Sequence, residues 1–372
     1  MASIRSTPGV PGRPASPDKG RRYLSPEEVT QPPAAAASEG VGADPAATPT
    51  DPPSGSDVAS LIQDELARAA QDGKYTIQDM LARGAESVLY RASAGHATFC
   101  VKAIRNMLGK TIGSSSTRSH EGKLDVSYRS KVRHLRNEFA VGTALLETGE
   151  LPVVRIYALR KVRRFGVEMG YDLLMEHIDG ADMGDRQFAR DLSVVDKIGI
   201  FHQTVKALNY MHQRCYIHLD MKPSNIMVTR GRVKLIDFGV SVSLGHRPRA
   251  VTGTAGYLSP EQIVRDYLNE ATDIFALGVT FAVIFGGKPL RQNPADLKSR
   301  QFRSEARYHL DSVEHPTMTD MPELAEFPEV AQLIGQCTVP RRDKRIASTS
   351  VLLSRLEHAA AERGVRLPLP LA

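Results

Sequence analysis

The sequence predicts an α+β fold in which a short sheet-rich part precedes a longer, mainly helical one. Three observations carry this. Residues 75–104 read as three strands punctuated by the turn residues Arg83-Gly84 and Ala94-Gly95. Residues 153–176 read as a strand pair, and from Val194 onward the pattern turns mainly helical. Ahead of both lies a stretch of a different kind. Residues 1–55 hold 11 of the 23 prolines, with Ala34 to Ala37 and many Ser, Thr and Gly. Such a segment buries too little apolar surface to offset the entropy of ordering it, so a disordered tail is expected there.

Each element follows in order. Val58, Leu61, Ile62 and Leu66 recur at helical spacing after Ser56-Asp57, which predicts an amphipathic lead-in helix over 56–73. The folded domain is expected over 74–362, with 363–372 as a C-terminal tail. Between the third strand and a helix over 131–147, residues 107–130 contain Gly113-Ser114-Ser115-Ser116-Thr117 and read as a flexible insertion. The longest apolar run, Ile274 to Phe285, is too short to span a bilayer comfortably and reads as a buried core helix. No transmembrane segment is expected, and no internal repeat is evident.

Composition narrows the class. Hydrophobic content of 41% is ordinary for a globular chain. Net charge is +6, unevenly placed: residues 1–72 carry 6 Lys/Arg against 10 Asp/Glu, and the rest carries 42 against 32. A basic body is compatible with nucleic acid or an anionic membrane. The plainer reading is that stretches such as Arg160-Lys161-Val162-Arg163-Arg164 are solvated faces, and no nucleic-acid partner is expected. Cys100, Cys215 and Cys337 are far apart and odd in number, which is no disulfide framework and favours a reducing compartment. The N-terminus lacks the apolar core of a secretory signal, so a cytoplasmic location is expected.

The chemistry is concentrated in His218-Leu219-Asp220-Met221-Lys222-Pro223-Ser224-Asn225, followed by Asp237-Phe238-Gly239. A base for an attacking hydroxyl, a lysine near a moving phosphoryl group and two metal-facing oxygens are what phosphoryl transfer requires. Asp220, Lys222, Asn225 and Asp237 supply that set. A lone Asp-Phe-Gly is weak evidence and arises as a simple turn. The joint pattern, with seventeen positions from Asp220 to Asp237, is far more specific.

These motifs resemble the catalytic loop and metal-binding motif of the eukaryotic-type Ser/Thr protein kinase superfamily. The resemblance covers about three quarters of the chain. It implies a bilobal fold, with a β-rich N-lobe (74–178) and a larger helical C-lobe (179–362), and it implies Mg-ATP-dependent transfer to protein hydroxyls. Asp220 then matches the catalytic aspartate, Lys222 the lysine that neutralises the moving phosphoryl group, and Asn225 and Asp237 the ligands of Mg²⁺. In Phe99-Cys100-Val101-Lys102-Ala103-Ile104, Lys102 matches the lysine that holds the ATP phosphates. A lysine in an apolar strand needs an anionic partner, and Glu138 of the next helix matches it, with Glu147 as a competitor nearer the helix end. Leu173 to Gly180 resembles the hinge, with Met175 as gatekeeper and the backbones of Glu176 and Ile178 facing adenine; the same residues also suit a plain strand ending in an Asp-Gly turn. Gly253 to Glu261 resembles the end of the activation segment, with Thr254 on the substrate platform. Glu261 is expected to pair with Arg345, and Asp273 to hold the catalytic-loop backbone.

Two departures stand out. In the phosphate-covering loop, Ala82-Arg83-Gly84-Ala85-Glu86-Ser87 keeps only Gly84 of the family's three glycines and adds a negative charge, which puts the strength of ATP binding in doubt. Leu219 stands where an arginine usually pairs with a phosphorylated activation loop, so activation is expected not to need a phosphate read there. Thr252, Ser241 and Ser243 remain candidate phosphorylation sites, with Arg247 or Arg249 as local partners. The alternatives are a pseudokinase acting as a nucleotide-binding or scaffolding module, and a small-molecule kinase, against which the Thr254–Glu261 segment argues. A leader rich in Ala, Pro and Ser on such a domain also fits an effector delivered into a host cell, with host proteins as partners.

Overall fold

The computed structural model describes residues 74–84, 87–106, 121–292, 297 and 320–367, and for 121–127 the backbone alone. The expected tail over 1–55, the lead-in helix over 56–73, and Ala85 and Glu86 of the phosphate loop lie outside these residues, as do residues 107–120 of the expected insertion.

Five strands build one antiparallel sheet: β1 (Thr76–Arg83), β2 (Val88–Ala94), β3 (Ala97–Arg105), β4 (Ile156–Arg164) and β5 (Val167–Glu176), ordered β1-β2-β3-β5-β4. The turns follow their residues. Phe165 and Gly166 both take positive φ (50° and 79°) in a two-residue hairpin loop whose backbone matches the twist of the flanking strands. Gly170, at φ 147°, lets β3 and β5 close up, because a Cβ there would sit 2.0 Å from the Ile104 carbonyl oxygen.

Helix α1 (Glu121–Ala144) lies against this sheet with Val132, Leu135 and Val141 buried. It begins ten residues earlier than the sequence suggested, so residues 121–130 are helix and not part of a flexible insertion. Leu124, Tyr128, Val132 and Leu135 do recur at helical spacing, but the charged residues among them hide the apolar stripe. Tyr128 fixes this first half by donating to Glu168 at 2.9 Å.

The second lobe is mainly helical: α2 (Arg186–Asp191), α3 (Val194–Gln213), α4 (Pro260–Val264), α5 (Glu270–Ile284), α6 (Pro328–Cys337) and α7 (Thr349–Ala361). Short strands join them: β6 (Ala181–Asp182), β8 (Ile226–Thr229) and β9 (Arg232–Leu235) form one sheet, and β7 (Tyr216–Ile217) pairs with β10 (Val242–Ser243). The fold is thus bilobal α+β. The apolar run Ile274–Phe285 is helix α5 and the turn after it, almost wholly buried. No helix among the described residues is long and apolar enough to cross a membrane.

The expected Glu261–Arg345 pair forms, and it locks α4 to the end of the lobe. Arg345 donates to both Glu261 oxygens, at 2.7 and 3.2 Å, and gives its other donors to the carbonyls of Ala271, Val339 and Pro340. Its guanidinium also lies 4.8 Å from the centre of the Phe275 ring. Both charges are buried, so each depends on the other. Glu261→Ala is therefore expected to destabilise the fold by about 3–5 kcal/mol, read by urea denaturation. A loss near zero would contradict this role for the pair.

Candidate active site

Lys102 lies on β3, whose two faces enter different cores, so that Phe99, Val101 and Ala103 point to one while Lys102, half-buried, shares the other face with buried Cys100 and Ile104. There it meets Glu138 of α1 at 2.7 Å and Asp237 of the second lobe at 3.1 Å. Burial alone would lower the Lys102 pKa, but the two carboxylates overcome it and hold the ammonium above its ordinary value. Burial pushes the Glu138 carboxyl up to about 7, with the Asp237 charge adding to this and Lys102 opposing it. Burial would likewise raise Asp237, yet Lys102 holds its carboxyl below the usual range. Glu147, the competing partner, is instead paired with Arg214.

In the second lobe Asp220 accepts from Lys222 Nζ (2.7 Å) and from the Thr254 hydroxyl (2.6 Å), and Lys222 also reaches Thr254 (2.9 Å). Asn225 donates its amide nitrogen to the Asp220 carbonyl at 2.8 Å, which leaves its amide oxygen as the atom that can face a cation. Asp237 keeps 40% of its side chain exposed although its pKa is depressed. An amide oxygen and an ionised, reachable carboxylate are hard donors of the kind Mg²⁺ takes, so the residues fit that ion.

The backbone carrying these groups is strained and held. Leu219 and Asp237 both have left-handed φ (67° and 68°), a region costly for side-chain-bearing residues. Asp273, at the start of the buried α5, accepts from the His218 N–H (2.7 Å) and the Leu219 N–H (2.8 Å), as the sequence suggested. Phe238 is fully buried and meets the His218 ring edge-on at 5.9 Å.

Where the hinge was expected, Met175 is buried, the Glu176 N–H donates to the Arg155 carbonyl and the Glu176 carboxylate binds Lys234 at 2.5 Å. Ile178 is half-buried against the main core. The chain then turns at Gly180, where a Cβ would meet the Val228 carbonyl oxygen at 2.1 Å. Gly84 donates its N–H to the Ser87 carbonyl at 3.0 Å across the β1–β2 turn. A Cβ at Gly84 would make only ordinary contact, so this conformation does not demand a glycine.

Sequence patterns miss two residues of the site and misjudge a third. Gln262, 2% exposed, donates to the carbonyls of Leu219 and Thr252 (both 3.0 Å) and accepts from Ser259, tying the segment around Thr252 to the loop around Leu219. Ser259-Pro260-Glu261-Gln262 fits a capping box, which signals a helix start but not this long-range tie. Asn137 of α1 donates to the carbonyls of Phe238, Gly239 and Ser241. Ser241, a candidate phosphorylation site by sequence, is 1% exposed and donates to the His218 carbonyl, so in this conformation its hydroxyl is closed to modification. Its neighbour Ser243 is exposed.

The sequence matches known proteins. The protein kinase domain family matches residues 152–356, and the chain belongs to that family. It is similar to a probable serine/threonine-protein kinase of Streptomyces coelicolor, 26% identical over 290 residues that make up 74% of this chain and 38% of the relative. Similarity to the serine/threonine-protein kinase PknB of Mycobacterium leprae is 36% over 124 residues, 32% of this chain and 20% of that one. Myosin light chain kinase 3 of Mus musculus is 26% identical over 248 residues, 64% of this chain and 30% of the relative. The chain spans less than two fifths of the length of each of these relatives.

His212 sets a pH limit on the site. Burial would push its imidazole down, but Asp273 (2.8 Å) and Glu270 (3.5 Å) raise it from 6.5 to about 9. A folded pKa above the unfolded one gives stability that is fully present below about pH 6.5 and is lost as pH rises through about 9. Between about pH 6.5 and 9.5 the wild type is expected to lose up to about 3 kcal/mol more than His212→Gln in denaturant titrations. Parallel losses would show that the imidazolium does not hold Asp273.

Proposed function

We propose that this chain is a Ser/Thr protein kinase domain that transfers the γ-phosphoryl group of Mg-ATP to protein hydroxyls. The observation that carries the reading is the pair of side-chain clusters Lys102–Glu138–Asp237 and Asp220–Lys222–Thr254, near enough for the Lys222 charge to act on Asp237. We place the catalytic unit over 74–362.

In this reading Lys102 holds the ATP phosphates and is kept in place by Glu138, while the Glu176 and Ile178 backbones face adenine and Gly84 caps the phosphates. Asn225 and Asp237 hold Mg²⁺, which when bound offsets charge on the phosphates. Asp220 orients the substrate hydroxyl and takes its proton. Lys222 sits beside Asp220 where the moving phosphoryl group passes, and its positive charge offsets the charge that develops there. Thr254 fixes the geometry between Asp220 and the peptide platform. The intact clusters argue against a pseudokinase. A reducing, cytoplasmic setting suits three free cysteines, two of them buried.

Activation in this reading needs no phosphate at the catalytic loop. Leu219 is 3% exposed and packs with Ile217 and Leu268, so an apolar cluster fills the place of a cation. Gln262 supplies a neutral tie to Thr252 in its stead.

Two experiments test this. Incubation with Mg-ATP and generic protein substrates should give phosphate transfer that Asp220→Ala and Lys102→Ala each lower by about 10²-fold or more. No mutant-sensitive transfer would favour the pseudokinase. Separately, Thr252→Ala and Thr252→Glu should leave turnover within about twofold of wild type, while Thr254→Ala loses at least about tenfold. Strong control of turnover by charge at residue 252 would refute phosphate independence.

A further inference from the structure

A groove of about 620 Å³ opens beside the catalytic loop. Lys222 and Tyr257 are among the residues that line it, and Lys222 is bonded to Asp220 and Thr254, so the groove borders that cluster. Its charge is one-sided. Five cations line it among the described residues (Arg186, Arg190, Lys197, Lys222 and Lys288) against one carboxylate, Glu323.

Two of those cations are already engaged. Lys197 is buried and bonded to Glu323, so that pair cancels, and Lys222 is bound to Asp220 and Thr254. Arg186, Arg190 and Lys288 remain, all at the surface, and none forms an ion pair with a described residue. Acidic residues of the same stretch are turned to local tasks and do not line the groove. Asp182 accepts from the Gly184 N–H, Asp185 caps α2, and Asp191 accepts from Gln187.

The backbone near two of these cations, Arg186 and Lys288, is constrained. At Gly184 a Cβ would meet Asp182 Oδ1 at 2.7 Å and Ser224 Cβ at 3.1 Å, so a glycine suits the close approach of this segment to residue 224. Lys288 follows Gly286, at φ 97°, and Gly287, where a Cβ would lie 2.7 Å from the carbonyl oxygens of Ala282 and Asp320. These tight turns constrain the chain from which Arg186 and Lys288 project, so less loop entropy is lost when an anion docks.

Resting on the kinase reading above, we propose that this groove selects protein segments carrying Asp or Glu near the accepting hydroxyl, with Arg186, Arg190 and Lys288 as the specificity-determining residues. Like charge in a basic segment would be repelled there, which makes the preference a difference between attraction and repulsion. Because the cations are at the surface, the preference weakens as salt rises.

The test compares matched Ser peptides flanked by Asp/Glu or by Lys/Arg, in steady-state kinetics at low and high ionic strength. Wild type should give a kcat/KM for the acidic peptide about tenfold above the basic one at low salt, with a smaller ratio at high salt. Arg186→Glu/Arg190→Glu/Lys288→Glu should raise KM for the acidic peptide about tenfold, leave kcat within about twofold, and improve use of the basic peptide. The neutral triple Gln variant should lie between the two, with an unchanged melting temperature as the control for folding. Equal use of both peptides, a preference for the basic one, or a charge-reversed variant that folds and keeps the wild-type ratio would overturn the proposal while leaving the kinase reading intact. Absence of transfer to any peptide or protein would overturn both.

Discussion

A cation inside the cleft needs anions, and Lys102 draws them from both lobes. Glu138 comes from α1 in the first lobe and Asp237 from the loop after β9 in the second. An ammonium on a core strand is costly to bury unpaired, so the strand, the helix and the second-lobe loop can settle only together. Asn137, one residue before Glu138, extends the same contact by holding the carbonyls of Phe238, Gly239 and Ser241. Neighbouring side chains of α1 thus serve both the charge and the backbone that carries its partner.

The second lobe meets its strain in a similar way. Left-handed φ at Leu219 is costly, and three polar groups oppose the tendency to relax: Asp273 takes the Leu219 N–H, Gln262 takes its carbonyl, and His212 steadies Asp273. The leucine side chain meanwhile lies in apolar surroundings. A buried amide and an apolar cluster thus hold the backbone and the side chain of Leu219 respectively.

Much of this architecture is legible in the order of the residues. Strand periodicity around Lys102 and the spacing from Asp220 to Asp237 have local signatures, while the pairs Lys102–Glu138 and Glu261–Arg345 are what the resemblance implies, and both contacts form. What stays hidden has neither a local pattern nor a motif to mark it. Gln262 and Leu219 are 43 residues apart, and nothing local says that an amide in a capping box reaches a catalytic-loop carbonyl. Ser241 looks available because its surroundings in sequence suit a loop, whereas its hydroxyl is committed to the His218 carbonyl. The early start of α1 is masked by charge, since Lys123, Asp125, Arg129, Lys131 and Arg133 dilute the apolar stripe that marks a helix.

The bridge across the cleft is tested most directly by a double-mutant cycle on Lys102→Met and Glu138→Gln in single-turnover phosphate transfer. If the two side chains act as one unit, each single change removes most of the function and the double variant is within about threefold of the worse single. Additive losses, with the double variant slower by the product of the two single effects, would contradict a shared role for the pair.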